Sequence, residues 1–293
     1  MYKILYSFFY LLSLIPWRVL YIVSDGLYGL VYYVFRYRKE VVKKNILIAF
    51  PNKTEKERER IVKDFYHNFI DTFIETIKLL SISKKEFDKR LQSNVEEVNK
   101  VMHLNRPIQF HTGHFFNWEF LNLGIAANIK TPFVGVYMPL KNKNFNKLIF
   151  DLRSKFGTIL LPATEFKTKY HKYINEPHAL GLVADQNPGD PRFAYWHPFF
   201  NKMTSFVIGP EKGANTKNAI VFFVNLIKVK RGYYKIEYKL FTIEPKQLPK
   251  GEITKAFIYF LEECIKKNPA NYLWSHKRWK WEYNEQIHSQ NVL

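Results

Sequence analysis

Between residues 107 and 184 the sequence alternates short apolar runs with longer amphipathic segments. Four runs have the length and composition of buried strands: 107–110, 132–137, 158–161 and 179–184. The segments between them are typical of helices: 117–128, 145–156 and a stretch after Thr164. Strands and helices that alternate along a chain form a mostly parallel sheet with helices on its faces. The sequence therefore predicts an α/β fold with a mostly parallel central sheet flanked by helices.

Further elements are predicted on both sides of this region. Apolar residues recur every four positions from Ile61 to Ile77, which indicates an amphipathic helix over 53–80. Thr54 and Glu57 have the spacing of a capping box at its start. The remaining predicted elements are helices near 84–91, 209–217 and 251–267, and strands at 220–228 and 233–241.

The first 35 residues are nearly all apolar or aromatic. The runs 4–17 and 19–35 are interrupted only by Pro16, Arg18 and Asp25. Three structures fit this pattern: a tilted membrane span, an interfacial hairpin bent at Pro16, or a buried helical hairpin of a soluble protein. A basic cluster follows over 36–44, as is typical of the cytoplasmic side of a membrane anchor. We expect residues 1–36 to anchor the chain to a membrane and residues 37–293 to form the catalytic domain.

The chain carries a strong positive charge. Its 45 Lys and Arg residues against 26 Asp and Glu give a formal net charge of +19. We expect anionic partners, which include nucleic acid, an acidic protein, phosphorylated lipid and a membrane surface. The aromatic and basic segment 272–280 fits either a nucleic-acid surface or packing with an anion-binding rim.

The single cysteine, Cys264, excludes an internal disulfide and fits a reducing compartment. It falls in the predicted helix 251–267, where a small apolar residue would pack. We therefore expect no catalysis by a cysteine nucleophile.

A candidate catalytic pair follows the first strand of the alternating region. His114 precedes Glu119 by five positions and falls in the turn between strand and helix. An imidazole is a natural general base near neutral pH, and a carboxylate on its second nitrogen fixes the tautomer. The spacing predicts that Glu119 orients His114. A metal site that includes His111 is disfavoured, because the zinc-protease pattern needs two histidines four positions apart.

Other polar residues fall where ligands collect in open α/β sheets, at the carboxyl ends of the strands. Asp185 and Gln186 follow the strand at 179–184, where they could enter a cleft or brace a turn. Arg153 lies near a helix C-terminus, which favours a cation, and its planar group could also bind phosphate or carboxylate. We expect Arg153, Asp185, Gln186 and Asn117 to bind substrate.

Together, these segments resemble the bacterial lipid A biosynthesis acyltransferases, the lauroyl and myristoyl transferases. The resemblance covers almost the whole chain. The segments that carry it are the apolar N-terminus, residues 37–51, His114-Phe-Phe-Asn-Trp-Glu119, Arg153 with Gly157, Asp185-Gln186, His197-Pro-Phe-Phe200 and Tyr272-Leu-Trp-Ser-His-Lys-Arg-Trp-Lys280.

The resemblance implies transfer of an acyl chain from acyl carrier protein to a hydroxyl of a lipid A precursor, without a metal or cofactor. It implies that His114 and Glu119 are the catalytic pair, and that Arg153 and Asp185 line the polar part of the site. It also implies a bacterial inner-membrane enzyme whose catalytic domain faces the cytoplasm, with the phosphorylated glycolipid and the membrane as partners and no nucleic acid.

Two positions depart from the family pattern. Phe116 stands where glycine is usual, and Lys277 stands where arginine is usual. A bulky ring at Phe116, beside the base, is expected to reshape the acyl or acceptor channel. Phe116 leaves open the same chemistry on another acceptor, such as an aminolipid or other glycolipid. The net charge of +19 and the segment 272–280 leave a second alternative open, a non-enzymatic basic protein that binds membrane or nucleic acid.

Overall fold

A seven-stranded sheet forms the centre of the fold. The structure is a computed structural model, and it describes residues 1–173 and 177–293. The strands of these two ranges are β1 Leu91–Ser93, β2 Ile108–Thr112, β3 Phe133–Tyr137, β4 Ile159–Pro162, β5 Ala179–Val183, β6 Ala194–Phe199, β7 Lys202–Val207, β8 Ile220–Lys230 and β9 Tyr233–Thr242.

The sheet has the strand order β1-β9-β8-β2-β5-β3-β4, and β6 and β7 form a separate antiparallel hairpin. Within the sheet, only the β8–β9 pair among the described strands is antiparallel. β2 lies between β5 and β8 and is buried along its whole length. The predicted α/β fold with a mostly parallel sheet is confirmed.

Helices cover both faces of the sheet. Those in the described part of the chain are α1 Tyr2–Leu14, α2 Trp17–Gly29, α3 Lys39–Ala49, α4 Glu55–Leu79, α5 Lys84–Arg90, α6 Glu96–Asn99, α7 Trp118–Asn128, α8 Lys143–Arg153, α9 Phe166–Lys169, α10 Gly209–Lys217, α11 Glu252–Lys267 and α12 Glu285–His288. A π-helical segment, Leu30–Val34, continues α2. The predicted capping box is present at the start of α4, with Thr54 and Glu57 as its members.

The first two helices pack against α4, and α1 also contacts α8. The chain bends at Pro16, between α1 and α2. Within the described residues, each helix taken singly is too short or too polar to cross a bilayer, whereas Tyr2–Leu14 and Trp17–Val34 together meet that criterion as a pair bent by 108°.

One face of α2 is polar and lies against the body of the protein. Ser24 donates to Asp71 of α4 at 2.7 Å, and Asp71 also accepts from Lys228 and Arg231. Arg231 reaches back to Asp25 of α2, with Nη2 2.6 Å from Oδ1. These ion pairs hold α2 to α4 and to the β8–β9 turn.

Candidate functional site

The site lies at the carboxyl ends of two neighbouring parallel strands. β2 ends at Thr112 and β5 at Val183, and these two residues are partners in the sheet register. His114 follows β2 and Asp185 follows β5, so the sheet itself brings them together. Gly113 permits the turn before His114, because a Cβ at this position would come within 2.6 Å of Leu261.

Asp185 binds His114 through two hydrogen bonds. Nδ1 of His114 lies 2.6 Å from Oδ1 of Asp185, and the backbone N–H of His114 donates to Oδ2 at 3.0 Å. The carboxylate is an acceptor, so the ring proton sits on Nδ1 and Nε2 keeps its lone pair. Nε2 faces the side-chain amide of Gln186, whose Nε2 lies 3.1 Å away. This arrangement prepares Nε2 of His114 to accept a proton.

The surroundings of Asp185 keep it ionised. Burial alone would raise its pKa, but the charge and hydrogen bonds of His114, together with the charge of Arg278, lower the pKa to about 2. Arg278 is buried, and its guanidinium donates to Asn187 at 2.9 Å and to the Ser205 carbonyl at 2.8 Å. The segment 272–280, for which the sequence fits either a nucleic-acid surface or packing with an anion-binding rim, therefore places one buried arginine close to Asp185.

Glu119 occupies a different place from the one predicted. Its carboxylate pairs with Arg153, with Oε1 2.7 Å from Nη2 and Oε2 2.9 Å from Nε, and Trp118 donates to Oε1 at 3.1 Å. Burial would lower the pKa of Arg153, but the Glu119 carboxylate raises it. The prediction that Glu119 orients His114 is thus corrected, because Asp185 holds Nδ1. Glu119, Arg153 and His114 nevertheless line the same cavity.

Asn117 is fully buried and lies outside the lining of this cavity. As the N-cap of α7, its Oδ1 accepts from the backbone N–H of Glu119 at 3.0 Å, and its Nδ2 donates to Glu75 at 3.2 Å. The prediction that Asn117 binds substrate is therefore corrected. Its side chain fixes the start of α7 instead. Asp185 likewise contacts His114 rather than lining the cavity.

The carboxylate of Glu75 joins α7 to two other elements. It accepts from Tyr234 of β9 at 2.5 Å and from Tyr21 of α2 at 3.0 Å. Burial raises the pKa of Glu75 above its ordinary value. Glu75 was not predicted as a functional residue, because it falls between the apolar positions 73 and 77 that indicated the helix 53–80.

A cavity of about 500 Å³ extends from His114 between the sheet and helices α7 and α8. Its walls are mainly apolar, and the polar groups among its lining include His114, Gln186, Glu119 and Arg153. Gly135 of β3 and Gly181 of β5 are partners in the register and add no side chains to the wall. Such a cavity suits an apolar chain whose reactive end lies next to an imidazole.

Phe116 is not among the residues that line the cavity. It is fully buried and packs against Phe65 and Phe69 of α4, with ring centroids 5.6 and 6.1 Å away. Its ring also lies 5.8 Å from that of Trp118, which does line the cavity. The expectation that Phe116 reshapes the acyl or acceptor channel therefore stays a prediction.

Cys264 and His111, the residues considered as a nucleophile and as a metal ligand, are both buried. Burial raises the pKa of the Cys264 thiol to about 12 and lowers the pKa of His111 to about 3. His111 contacts Gln109, with 2.9 Å between its Nε2 and the side-chain amide. Among the described residues there is no group of three His, Cys, Asp or Glu side chains that could hold a metal ion.

Comparison with known proteins identifies the family of this chain. Residues 3–281 match the sequence model of the bacterial lipid A biosynthesis acyltransferases. A relative, the lipid A biosynthesis lauroyltransferase of Escherichia coli strain K12, is 24% identical over 275 residues, which cover 91% of this chain and 87% of the relative. Because the family model matches nearly the whole sequence, this chain belongs to the bacterial lipid A biosynthesis acyltransferase family.

Proposed function

We propose that this protein transfers a fatty acyl chain from the thioester of acyl carrier protein to a hydroxyl of a lipid A precursor. The observation that carries the proposal is the contact between His114 and Asp185 at the end of an apolar cavity. The family match and the relative, a lauroyltransferase, support the reaction class.

In the proposed reaction, Nε2 of His114 takes the proton of the acceptor hydroxyl, and the oxygen attacks the thioester carbonyl carbon. Asp185 fixes the tautomer and stabilises the imidazolium that forms. When the tetrahedral intermediate collapses, the carbon–sulfur bond breaks and the imidazolium returns the proton to the thiolate.

The developing oxyanion needs a donor at the cavity wall. The amide of Gln186 is next to Nε2 of His114 and becomes available once the acceptor hydroxyl replaces it there. Arg153 lines the same wall, with its charge balanced by Glu119. We assign Gln186 to the oxyanion and the Glu119–Arg153 pair to the polar boundary of the acyl site.

The location we propose is the cytoplasmic face of the bacterial inner membrane, with residues 1–36 as the anchor and residues 37–293 as the acyltransferase domain. The apolar N-terminus and the exposed basic residues Arg36, Arg38, Lys43 and Lys44 support this arrangement. The net charge of +19 fits two anionic substrates, an acidic carrier protein and a phosphorylated glycolipid, through electrostatic steering.

The test is acyl transfer by purified protein from lauroyl acyl carrier protein to a lipid A precursor. We expect His114→Ala to abolish transfer while circular dichroism and the melting temperature stay close to wild type. His103→Ala, a change at an exposed histidine, is the matched control and should retain full activity. Full turnover by His114→Ala would exclude the general-base assignment, and mass spectrometry of the product would identify the acceptor.

A further inference from the structure

Exposed apolar side chains border the mouth of the cavity. Phe73 of α4 and the residues Met138 and Leu140, which follow β3, line the cavity and are also 48%, 66% and 49% exposed. A side chain that both lines a cavity and faces solvent lies at the opening. We call these three residues the apolar rim.

Helix α1 also carries exposed apolar side chains, those of Ile4, Phe8 and Leu11. The helix contacts α8 directly, where the rings of Phe9 and Phe145 lie 5.8 Å apart. α8 in turn lines the cavity, so α1 lies next to a helix of the cavity whose opening the apolar rim borders.

Lysines accompany the apolar side chains. Lys141 and Lys143 are exposed and lie one and three positions after Leu140. Lys147 pairs with Asp151 and lies over the ring of Tyr2, with 4.8 Å between Nζ and the ring centroid. Apolar side chains with adjacent cations are typical of a surface that rests in the interface of an anionic bilayer. A second copy of this chain fits poorly, because it would bring the same lysines together.

We propose that the apolar rim inserts into the surface of an anionic phospholipid bilayer, so that the catalytic cavity opens directly into the lipid phase. Membrane attachment then depends on the segment 138–147 as well as on the N-terminal helices. The lipid acceptor can then bring its hydroxyl to His114 without leaving the bilayer surface. The identity of that acceptor rests on the proposed function, whereas insertion of the rim is measured without turnover.

The single cysteine permits a direct test. Cys264 is buried and its raised pKa disfavours the reactive thiolate, so an added exposed cysteine can be labelled selectively. We would attach an environment-sensitive fluorophore to Met138→Cys and, separately, to Leu140→Cys. Ile243→Cys is the control, because Ile243 is an exposed apolar residue at the opposite edge of the sheet, following Thr242, the partner of Val221.

Each protein is mixed with vesicles that contain phosphatidylglycerol, and binding is followed by co-sedimentation. At positions 138 and 140 we expect a blue shift of the emission, quenching by lipids brominated in their acyl chains and protection from iodide; position 243 should show none of these. Labels at 138 and 140 that stay open to iodide while the protein co-sediments would overturn the proposal. A shift on addition of acyl carrier protein instead of vesicles would also overturn it, by making the rim a protein-docking surface.

The unlabelled double variant Met138→Ser/Leu140→Ser gives a second measurement. We expect its affinity for these vesicles to fall about 10-fold, with its melting temperature unchanged. An unchanged affinity would contradict the proposal. Because vesicle binding needs no catalysis, failure of the proposed acyl transfer would appear only in the transfer assay with lauroyl acyl carrier protein.

Discussion

Asp185 sets the chemical state of His114. Its carboxylate accepts from both the ring and the backbone of that residue. In Asp185→Asn the new amide can donate to Nδ1, which moves the ring proton to Nε2 and removes the base. We expect kcat to fall by about 10³-fold to 10⁴-fold, the cost of the wrong tautomer in a serine-protease triad, with the fold retained.

Glu119→Gln is the comparison for this experiment. It removes the charge that faces Arg153 and leaves the His114–Asp185 contact in place. We expect a smaller loss of kcat than in Asp185→Asn. If Asp185→Asn kept nearly wild-type kcat while Glu119→Gln was inactive, Glu119 rather than Asp185 would be the residue that orients His114.

The sequence predicted the members of this site better than their pairing. His114 and Gln186, which were placed at strand ends, and Arg153, which was placed at a helix C-terminus, all line one cavity. Spacing along the chain favoured Glu119 as the partner of His114. The pairing depends instead on the sheet register, which places the end of β5 beside the end of β2 although 71 residues separate Asp185 from His114.

His111 makes stability depend on pH. Burial lowers the folded-state pKa of His111 from 6.5 to about 3. Between these two pH values the imidazole is protonated in the unfolded chain but neutral in the folded protein. Stability therefore falls with decreasing pH down to about pH 3, by about 1.4 kcal/mol per pH unit for this group. At pH 5 the loss from His111 is about 2 kcal/mol relative to pH 7.

Urea unfolding at pH 7 and pH 5 measures this effect. In His111→Gln we expect the difference in unfolding free energy between these pH values to shrink by about 2 kcal/mol. Part of the pH dependence of the unfolding free energy will remain, because burial also lowers the pKa of His276, to about 4. His103→Gln, at an exposed position, should keep the wild-type slope, and an unchanged slope in His111→Gln would contradict the prediction.

At the scale of elements, Asn117 joins the start of α7 to α4. It caps α7 and donates to the buried carboxylate of Glu75. We expect Asn117→Ala to lower the free energy of unfolding by about 2 kcal/mol. About 1 kcal/mol of this is the lost cap, and the rest arises because Glu75 loses a donor.

Asn142→Ala is the matched control. Asn142 caps α8 in the same way, with Oδ1 accepting from Asn144 and Phe145, but its side chain is exposed. We expect a loss of about 1 kcal/mol, measured by urea denaturation. Equal losses in the two variants would show that the contact of Asn117 with Glu75 adds nothing to stability.

The order of helices and strands in the α/β region could be predicted because the apolar residues of each element show a clear periodicity and length. The sequence predictions missed β1 and the hairpin of β6 and β7, for physical reasons. β1 has only three residues, so it shows no periodicity. The hairpin turns at Phe200 and Asn201, both with positive φ, without the glycine that usually marks such a turn.

At the scale of the whole molecule, the polar contacts of α2 decide which part of the chain can fold alone. Tyr21 and Ser24 donate to the buried carboxylates of Glu75 and Asp71, and Leu20 packs in a small cluster with Ile70 and Ile74. α1 contacts α4 and α8 through half-buried residues such as Tyr2 and Phe9, and within this helix only Ser13 is buried. Loss of α2 should therefore lower the stability of the remaining protein more than loss of α1.

Two truncations separate these roles. Removal of residues 1–15 should leave a cooperatively folded protein with weaker vesicle binding. Removal of residues 1–36 takes a donor from each of two buried carboxylates, at about 1–3 kcal/mol apiece. We therefore expect a loss of several kcal/mol in unfolding free energy, measured by urea denaturation in mild detergent. Equal stability of the two truncated proteins would mean that residues 37–293 fold independently and that α2 serves only as an anchor.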